Sequence, residues 1–227
     1  MPSPLYLGLS RGQLVRFEEI TRCPPEIQDS LVSVLSDKVL MVPELDGNSR
    51  VLLAQRGFNV IATANIRDRG VNEMSSALKR RFNFETVAPI ANPELERKLV
   101  LEQTQALLAE SEVPIAIAPD VIELLVSTFH DLRSGRTPEG TVVERPTTVM
   151  STAEAVAVSV SAGLDAYYLG AGEVTSEHVV RNLVGTVLKD NPEDAKKLAH
   201  YYNVVVKSRA SQNTYRETYY KARKWLR

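Results

Sequence analysis

Two adjacent carboxylates, Glu18 and Glu19, close the apolar run Leu14-Val15-Arg16-Phe17. A buried parallel strand reads as such a run and delivers the residues after it to an exposed C-terminal edge. Acid groups placed there can serve acid–base chemistry, or they can be an ordinary exposed acid pair. A second apolar run, Phe58 to Thr63, leads to a single amide, Asn65. An asparagine there can hold a polar ligand or satisfy loose backbone groups in a turn. A third element, helical in pattern, ends in Arg80-Arg81 before Phe82. Guanidinium is planar, permanently charged and bidentate, which suits charge developing on transferred phosphate oxygens. At a helix C-terminus it is also a favourable cation, by a few tenths to about 1 kcal/mol.

These groups need a frame of alternating strands and helices, the signature of an α/β layer architecture. Leu14 to Ile20 reads as a strand, and Pro24-Pro25-Glu26 opens a helix with Ile27, Leu31, Val34 and Leu35 on one face. Val39 to Val42 and Val51 to Leu53 flank the turn signal Asp46-Gly47-Asn48, which predicts a β-hairpin. Phe58 to Thr63 is a strand, Val71 to Lys79 a short helix and Phe84 to Val87 a short strand, so the main sheet is expected to be parallel. Arg16 shares a face with Glu18 by strand alternation, and a local ion pair with Glu18 or a neighbouring acid is expected.

Beyond Pro89 to Pro93 the strand signals fade. Pro93 opens a helix to about Glu110 with Leu95, Leu99, Thr104, Leu107 and Leu108 as its apolar face, and Pro119 opens another with Val121, Ile122, Leu125 and Phe129 inward. Ser134 to Glu144 reads as a Gly/Pro-rich loop, Pro146 to Ala162 as an Ala/Val-rich helix, and Thr175-Ser176-Glu177 as the cap of a helix reaching about Lys189. From Ser211 a basic helix carries the stripe Tyr215, Tyr219, Ala222 and Leu226, with Arg216, Arg223 and Arg227 a quarter turn away. Such a helix either docks its aromatics while its arginines face water, or binds nucleic acid or an acidic partner; docking is favoured.

Composition narrows the function classes. At 227 residues and 44% hydrophobic the chain can bury a real core. A net charge of −1 argues against wholesale nucleic-acid binding. One cysteine, Cys23, allows no internal disulfide and fits a reducing compartment. No apolar stretch reaches the length of a membrane span, and Met1-Pro-Ser-Pro-Leu is no signal peptide, so the expectation is a cytoplasmic protein with no membrane partner. His130, His178 and His200 lack ligand-like spacing.

An acid pair, a polar sensor and an arginine pair, in that order, resemble the second half of an AAA+ ATPase core, most closely its MoxR-like branch. The resemblance covers Leu14 to about Lys189, while the glycine-rich phosphate loop of the family's first half is not in these residues. It implies a partial αβα parallel-sheet core at 1–91, an all-helical lid domain at 92–189 and a helical extension at 190–227, with Met1 to Arg11 a remnant of the preceding helix. It assigns Glu19 as the catalytic glutamate, and Glu18 to the Mg²⁺ shell through water, where the family usually has aspartate. Asn65 becomes the sensor-1 residue, and Arg81, with Arg80 second, the arginine finger that enters a neighbouring subunit. Sensor 2 usually follows a proline opening the third lid helix. Here Pro146 is followed by Thr147, which leaves Arg145 as the candidate nucleotide-binding arginine.

The cofactors implied are ATP and Mg²⁺, and the activity implied is ATP hydrolysis in a hexameric homo-oligomeric ring that remodels a protein client. The hairpin tip, Glu44 to Arg50, would face the pore and touch a client or nucleic acid, or the hairpin is structural and makes no such contact. A partner with a von Willebrand factor A-type domain is implied by the resemblance alone. The alternatives are a non-catalytic AAA+ scaffold and a DNA-directed AAA+ motor or loader. The chain alone is expected to be inactive, because the loop's backbone N–H groups carry most phosphate contacts.

Overall fold

The computed structural model describes residues 2–65, 72–147, 150–170, 172–185 and 191–226. They fall into two compact units, Met1–Thr86 and Val87–Arg227. The first is mixed α/β and the second helical.

In the first unit, α1 (Pro4–Arg11) is capped by the Ser3 hydroxyl and ends at Gly12. Gly12 has φ 66°, and a Cβ there would meet Arg56 O at 2.3 Å, so only glycine fits this corner. Next come β1 (Leu14–Phe17), α2 (Pro25–Ser36), the antiparallel pair β2 (Val39–Met41) and β3 (Val51–Leu53), and then β4 (Asn59–Ala62). β1 and β4 pair in parallel, with Val15 opposite Val60 and Phe17 opposite Ala62. The hairpin forms as expected, its tip closed by a 3₁₀ turn at Gly47–Arg50. Leu9, Val15, Val34 and Phe58 make one buried cluster; Ile20, Leu31, Met74 and Leu78 make a second. In α2, Leu31 and Val34 face inward as predicted, but Ile27 is exposed and Gln28 takes its place, its amide donating to Cys23 O at 3.0 Å.

Two predicted elements of this unit differ. The helix expected over Val71 to Lys79 is the single turn α3 (Ser76–Lys79), begun by the Ser75 hydroxyl accepting from Leu78 N at 3.2 Å. Val71 lies outside the described residues. No strand forms at Phe84 to Val87. A strand exists through its hydrogen-bonded partner, and among the described residues none pairs there; Val87 is 91% exposed.

The second unit contains α4 (Pro93–Glu110), α5 (Pro119–Ser134), α6 (Thr152–Tyr168), α7 (Ser176–Leu183), α8 (Pro192–Tyr201), a π-helical stretch at Tyr202–Val206, the short turn α9 (Lys207–Arg209) and α10 (Thr214–Lys221). One core joins these helices, from Val100 in α4 to Tyr219 in α10 and Leu226 beyond it. α4 starts and ends as predicted, and Thr104 and Leu108 of its predicted face are buried, but the first half of that face is shifted by one residue. Its buried row is Glu96, Val100, Thr104 and Leu108, while Leu95 and Leu107 are exposed. The predicted helix at Pro146 starts instead at Thr152, because Ser151 and Glu154 form a reciprocal capping box, and it continues to Tyr168. Thr175 caps α7 as expected; the predicted run to Lys189 enters residues 186–190, outside those described.

α10 docks on α5 and α7 within this core, with Tyr219, Ala222 and Leu226 of the stripe buried, while Tyr215 at its start is exposed. Arg216 departs from expectation. It does not face water but donates to Glu123 of α5 at 3.2 Å, with most of its side chain covered. Arg227 is outside the described residues. Among those described, no helix is long and apolar enough to cross a membrane.

Candidate functional site

The ends of β1 and β4 are tied by one residue, Thr63. Its N–H donates to Phe17 O and its carbonyl accepts from Ile20 N, both at 2.9 Å. Its hydroxyl donates to a Glu18 carboxylate oxygen and accepts from Glu19 N–H at 3.0 Å. Buried Ile20 anchors the 3₁₀ turn that follows, and Glu19 sits before it in the left-handed region, φ 51° and ψ 50°. A non-glycine residue holds such a backbone only when its surroundings over-determine it. Parallel pairing thus brings Glu18, Glu19, Thr63 and Asn65 to one open cleft, together with Arg22 and Cys23.

Charges organise the cleft. Arg16 pairs with Glu18, as strand alternation predicts, and Arg22 pairs with Glu19. The Thr63 hydrogen bond and then the Arg16 guanidinium hold the Glu18 carboxyl below its ordinary value, so it is ionised near neutrality. Both carboxylates are solvent-exposed. The two carboxylates are hard oxygen donors, which fits Mg²⁺ held partly by water and phosphate. Both Glu18 oxygens already accept hydrogen bonds, which suits contact with a metal through water. No group of three or more His, Cys, Asp or Glu side chains able to hold a metal occurs among the described residues.

Arg80 and Arg81 follow α3 and do not line this cleft. The Arg81 guanidinium donates to Ser36 Oγ at the end of α2 and to Ala77 O. Arg80 is exposed, and among the described residues its side chain makes no hydrogen bond or ion pair. In the second unit Arg145 donates to Ser134 O at the end of α5, packed against Gly135. Neighbouring Thr147 is gripped by Asp194, which accepts from Thr147 N at 2.9 Å and Oγ1 at 2.7 Å, while Asn191 donates to the same hydroxyl.

Sequence reading also missed two buried ion networks in this unit. Glu96, with its side chain 0% exposed, receives Arg133, Thr152 and the His130 ring. Burial would raise its carboxyl, yet the Arg133 and Thr152 donors outweigh burial and hold it low. Asp131 accepts from Tyr201 Oη and Arg209 Nη1, each at 2.8 Å, and Arg209 also reaches Glu139 at 2.5 Å. The available signals were polar residues at core positions of amphipathic helices, which demand partners.

Residues 94–227 match the YehL-like AAA+ ATPase C-terminal domain, and residues 1–82 match the AAA domain of the dynein-related subfamily. The chain belongs to the YehL-like AAA+ ATPases. It is 47% identical over 223 residues to a protein of Escherichia coli (strain K12) described as "Uncharacterized protein YehL". That alignment covers 98% of this chain and 61% of the relative, so the chain spans under two thirds of the relative's length. AAA+ proteins in general bind ATP with Mg²⁺, hydrolyse it and assemble into rings. In this YehL-like chain, the strand-end cleft has the donor chemistry for the metal-and-water side of such a site.

Proposed function

We propose that these residues form the hydrolytic half of a MoxR-like AAA+ ATPase, which couples ATP hydrolysis in a hexameric ring to remodelling a protein client in the cytoplasm. The observation that carries this reading is the Thr63 clasp, which places Glu18, Glu19 and Asn65 at one cleft. ATP·Mg²⁺, when bound, supplies the γ-phosphoryl group and neutralises charge developing on it. Glu19 accepts the proton of the attacking water, Asn65 orients that water, and Glu18 steadies the metal's water shell. Arg81, or Arg80 beside it, reaches a neighbouring subunit's phosphate, and Arg145 contacts nucleotide from the lid. The division proposed is a core at 1–91, a lid at 92–189 and an extension at 190–227. A von Willebrand factor A-domain protein is the partner this branch suggests.

The test is Glu19→Gln in the protein carrying a phosphate-loop segment ahead of these residues. The amide keeps size and hydrogen bonding but cannot take a proton. ATP binding is expected to persist while steady-state hydrolysis falls at least about 100-fold. Hydrolysis at the wild-type rate would overturn the assignment.

A further inference from the structure

One hydroxyl serves both acids of the cleft. Thr63 Oγ1 has a single proton, which goes to Glu18, and two acceptor sites, one of which takes Glu19 N–H. The same residue's backbone fixes Phe17 on one side of the pair and Ile20 on the other. Four hydrogen bonds therefore run from Thr63 to the four consecutive residues that bracket and include the acids.

The need for this clasp follows from the acids themselves. Glu19 holds a left-handed backbone with no glycine to ease it. Such a conformation costs on the order of 1–3 kcal/mol and relaxes unless bonds on both sides hold it. Glu18 is exposed and has three rotatable side-chain bonds, so a fixed orientation needs both oxygens engaged. Arg16 engages one, through a long and exposed side chain of its own. Thr63 engages the other from a short, β-branched side chain whose backbone is locked to β1. Of the two partners, the threonine is the rigid one.

We infer that Thr63 is the positioning residue of the hydrolytic site: its hydroxyl orients the Glu18 carboxylate and fixes the backbone from which Glu19 projects. This rests on the proposed roles of Glu18 and Glu19 and adds a residue that touches neither water nor nucleotide itself. Phosphates are held elsewhere, so losing the hydroxyl leaves nucleotide affinity intact and disturbs turnover and the Mg²⁺ requirement. Serine keeps the hydroxyl, valine keeps the shape without it, and alanine keeps neither.

The experiment measures kcat, KM for ATP and the Mg²⁺ concentration for half-maximal rate in the full-length protein, comparing wild type with Thr63→Val, Thr63→Ser and Glu19→Gln. The calorimetric Kd for ATP·Mg²⁺ is measured alongside and is expected to be unchanged by Thr63→Val. Removing a group that orients metal-site ligands typically costs about 10–100-fold. Thr63→Val is expected to lower kcat by that factor and raise the Mg²⁺ requirement, with KM for ATP within about threefold of wild type. Thr63→Ser is expected to restore kcat to within about threefold. Should the valine variant fail to fold, Thr63→Ala is read in the same way. Wild-type kcat and Mg²⁺ dependence in Thr63→Val, with Glu19→Gln inactive, would overturn this inference and leave the assignment of Glu19 standing. An equal loss in Thr63→Val and Thr63→Ser would also overturn it, since keeping the hydroxyl would then be no better than losing it. An active Glu19→Gln enzyme would instead remove the reading on which it rests.

Discussion

Thr128 of α5 and Tyr219 of α10 meet hydroxyl to hydroxyl at 3.0 Å inside the helical core, 91 residues apart in sequence. Thr128 already donates to Leu124 O at 2.9 Å, so Tyr219 is the donor between them. The tyrosine ring also packs against Tyr202, with centroids 5.0 Å apart. The C-terminal helix is thus held by a buried aromatic body and one satisfied hydroxyl, and not by its arginines alone.

Tyr219→Ala is expected to destabilise the helical unit by about 3–5 kcal/mol, the usual cost of emptying an aromatic site. Tyr219→Phe removes only the hydroxyl and should cost about 1 kcal/mol. Chemical denaturation of the three proteins gives the comparison. Equal stability of wild type and Tyr219→Ala would contradict a docked helix.

The buried Glu96–Arg133 pair predicts strong non-additivity. Glu96→Leu leaves Arg133 largely covered, bonded among the described residues only to the carbonyls of Met150 and Ile90, and should cost about 3 kcal/mol or more. Adding Arg133→Met removes the orphaned charge and should recover much of that loss. A double-mutant cycle in urea measures the coupling, and purely additive losses would show that the pair contributes nothing.

Acid should loosen the contact between Arg209 and the Glu139 loop. The Arg209 and Thr137 hydrogen bonds hold the Glu139 carboxyl down from 4.5 to about 2. A carboxyl depressed by folding stabilises the native state above its unfolded value and loses that contribution as pH falls through its folded value. The window therefore runs from about pH 4.5 down to about 2, with stability falling on acidification. Glu139 is more than half exposed, so solvent screening makes the effect modest. Glu139→Gln should flatten this part of the stability–pH curve while changing little at its acid end. Melting temperatures recorded across the window test it, and unchanged slopes would rule the pair out as a contributor.

A finger arginine acting in a neighbour's site predicts complementation. Glu19→Gln and Arg81→Ala proteins, each inactive alone, should regain a fraction of wild-type ATPase activity when mixed with subunit exchange. Arginine fingers can contribute about 10³–10⁵ in rate, so even partial recovery is measurable. Before it can reach a neighbour, Arg81 must leave Ser36 and Ala77, whereas Arg80 has no such ties among the described residues. Full activity of Arg81→Ala alone would transfer the role to Arg80. No recovery despite exchange would place the arginine's role within its own subunit.

Local pattern made several features legible. Two apolar runs marked β1 and β4, Pro93 marked the start of α4, and Asp46-Gly47 marked the hairpin. These follow from short-range sterics and from alternation, which a few neighbouring residues encode. The type and order of Glu18, Glu19, Asn65, Arg80 and Arg81 were equally open to reading, because a strand end presents whatever residues follow it.

Features that depended on partners could not be read this way. Phe84 to Val87 has strand composition and forms no strand, because a ladder needs a second chain segment beside it. Thr104 and Leu108 of the α4 row were placed correctly, but its first part was misplaced by one position, because burial of Glu96 is favourable only once Arg133, His130 and Thr152 surround it, 34 to 56 residues later. Thr63 was visible as a residue next to a polar motif, but its hold on both acids exists only after β1 and β4 align in register. Sequence alone determined which chemical groups the chain carries and which local elements present them. Tertiary structure decided which of those groups share a cleft and which buried charges are satisfied, since both depend on distances that only the folded chain sets.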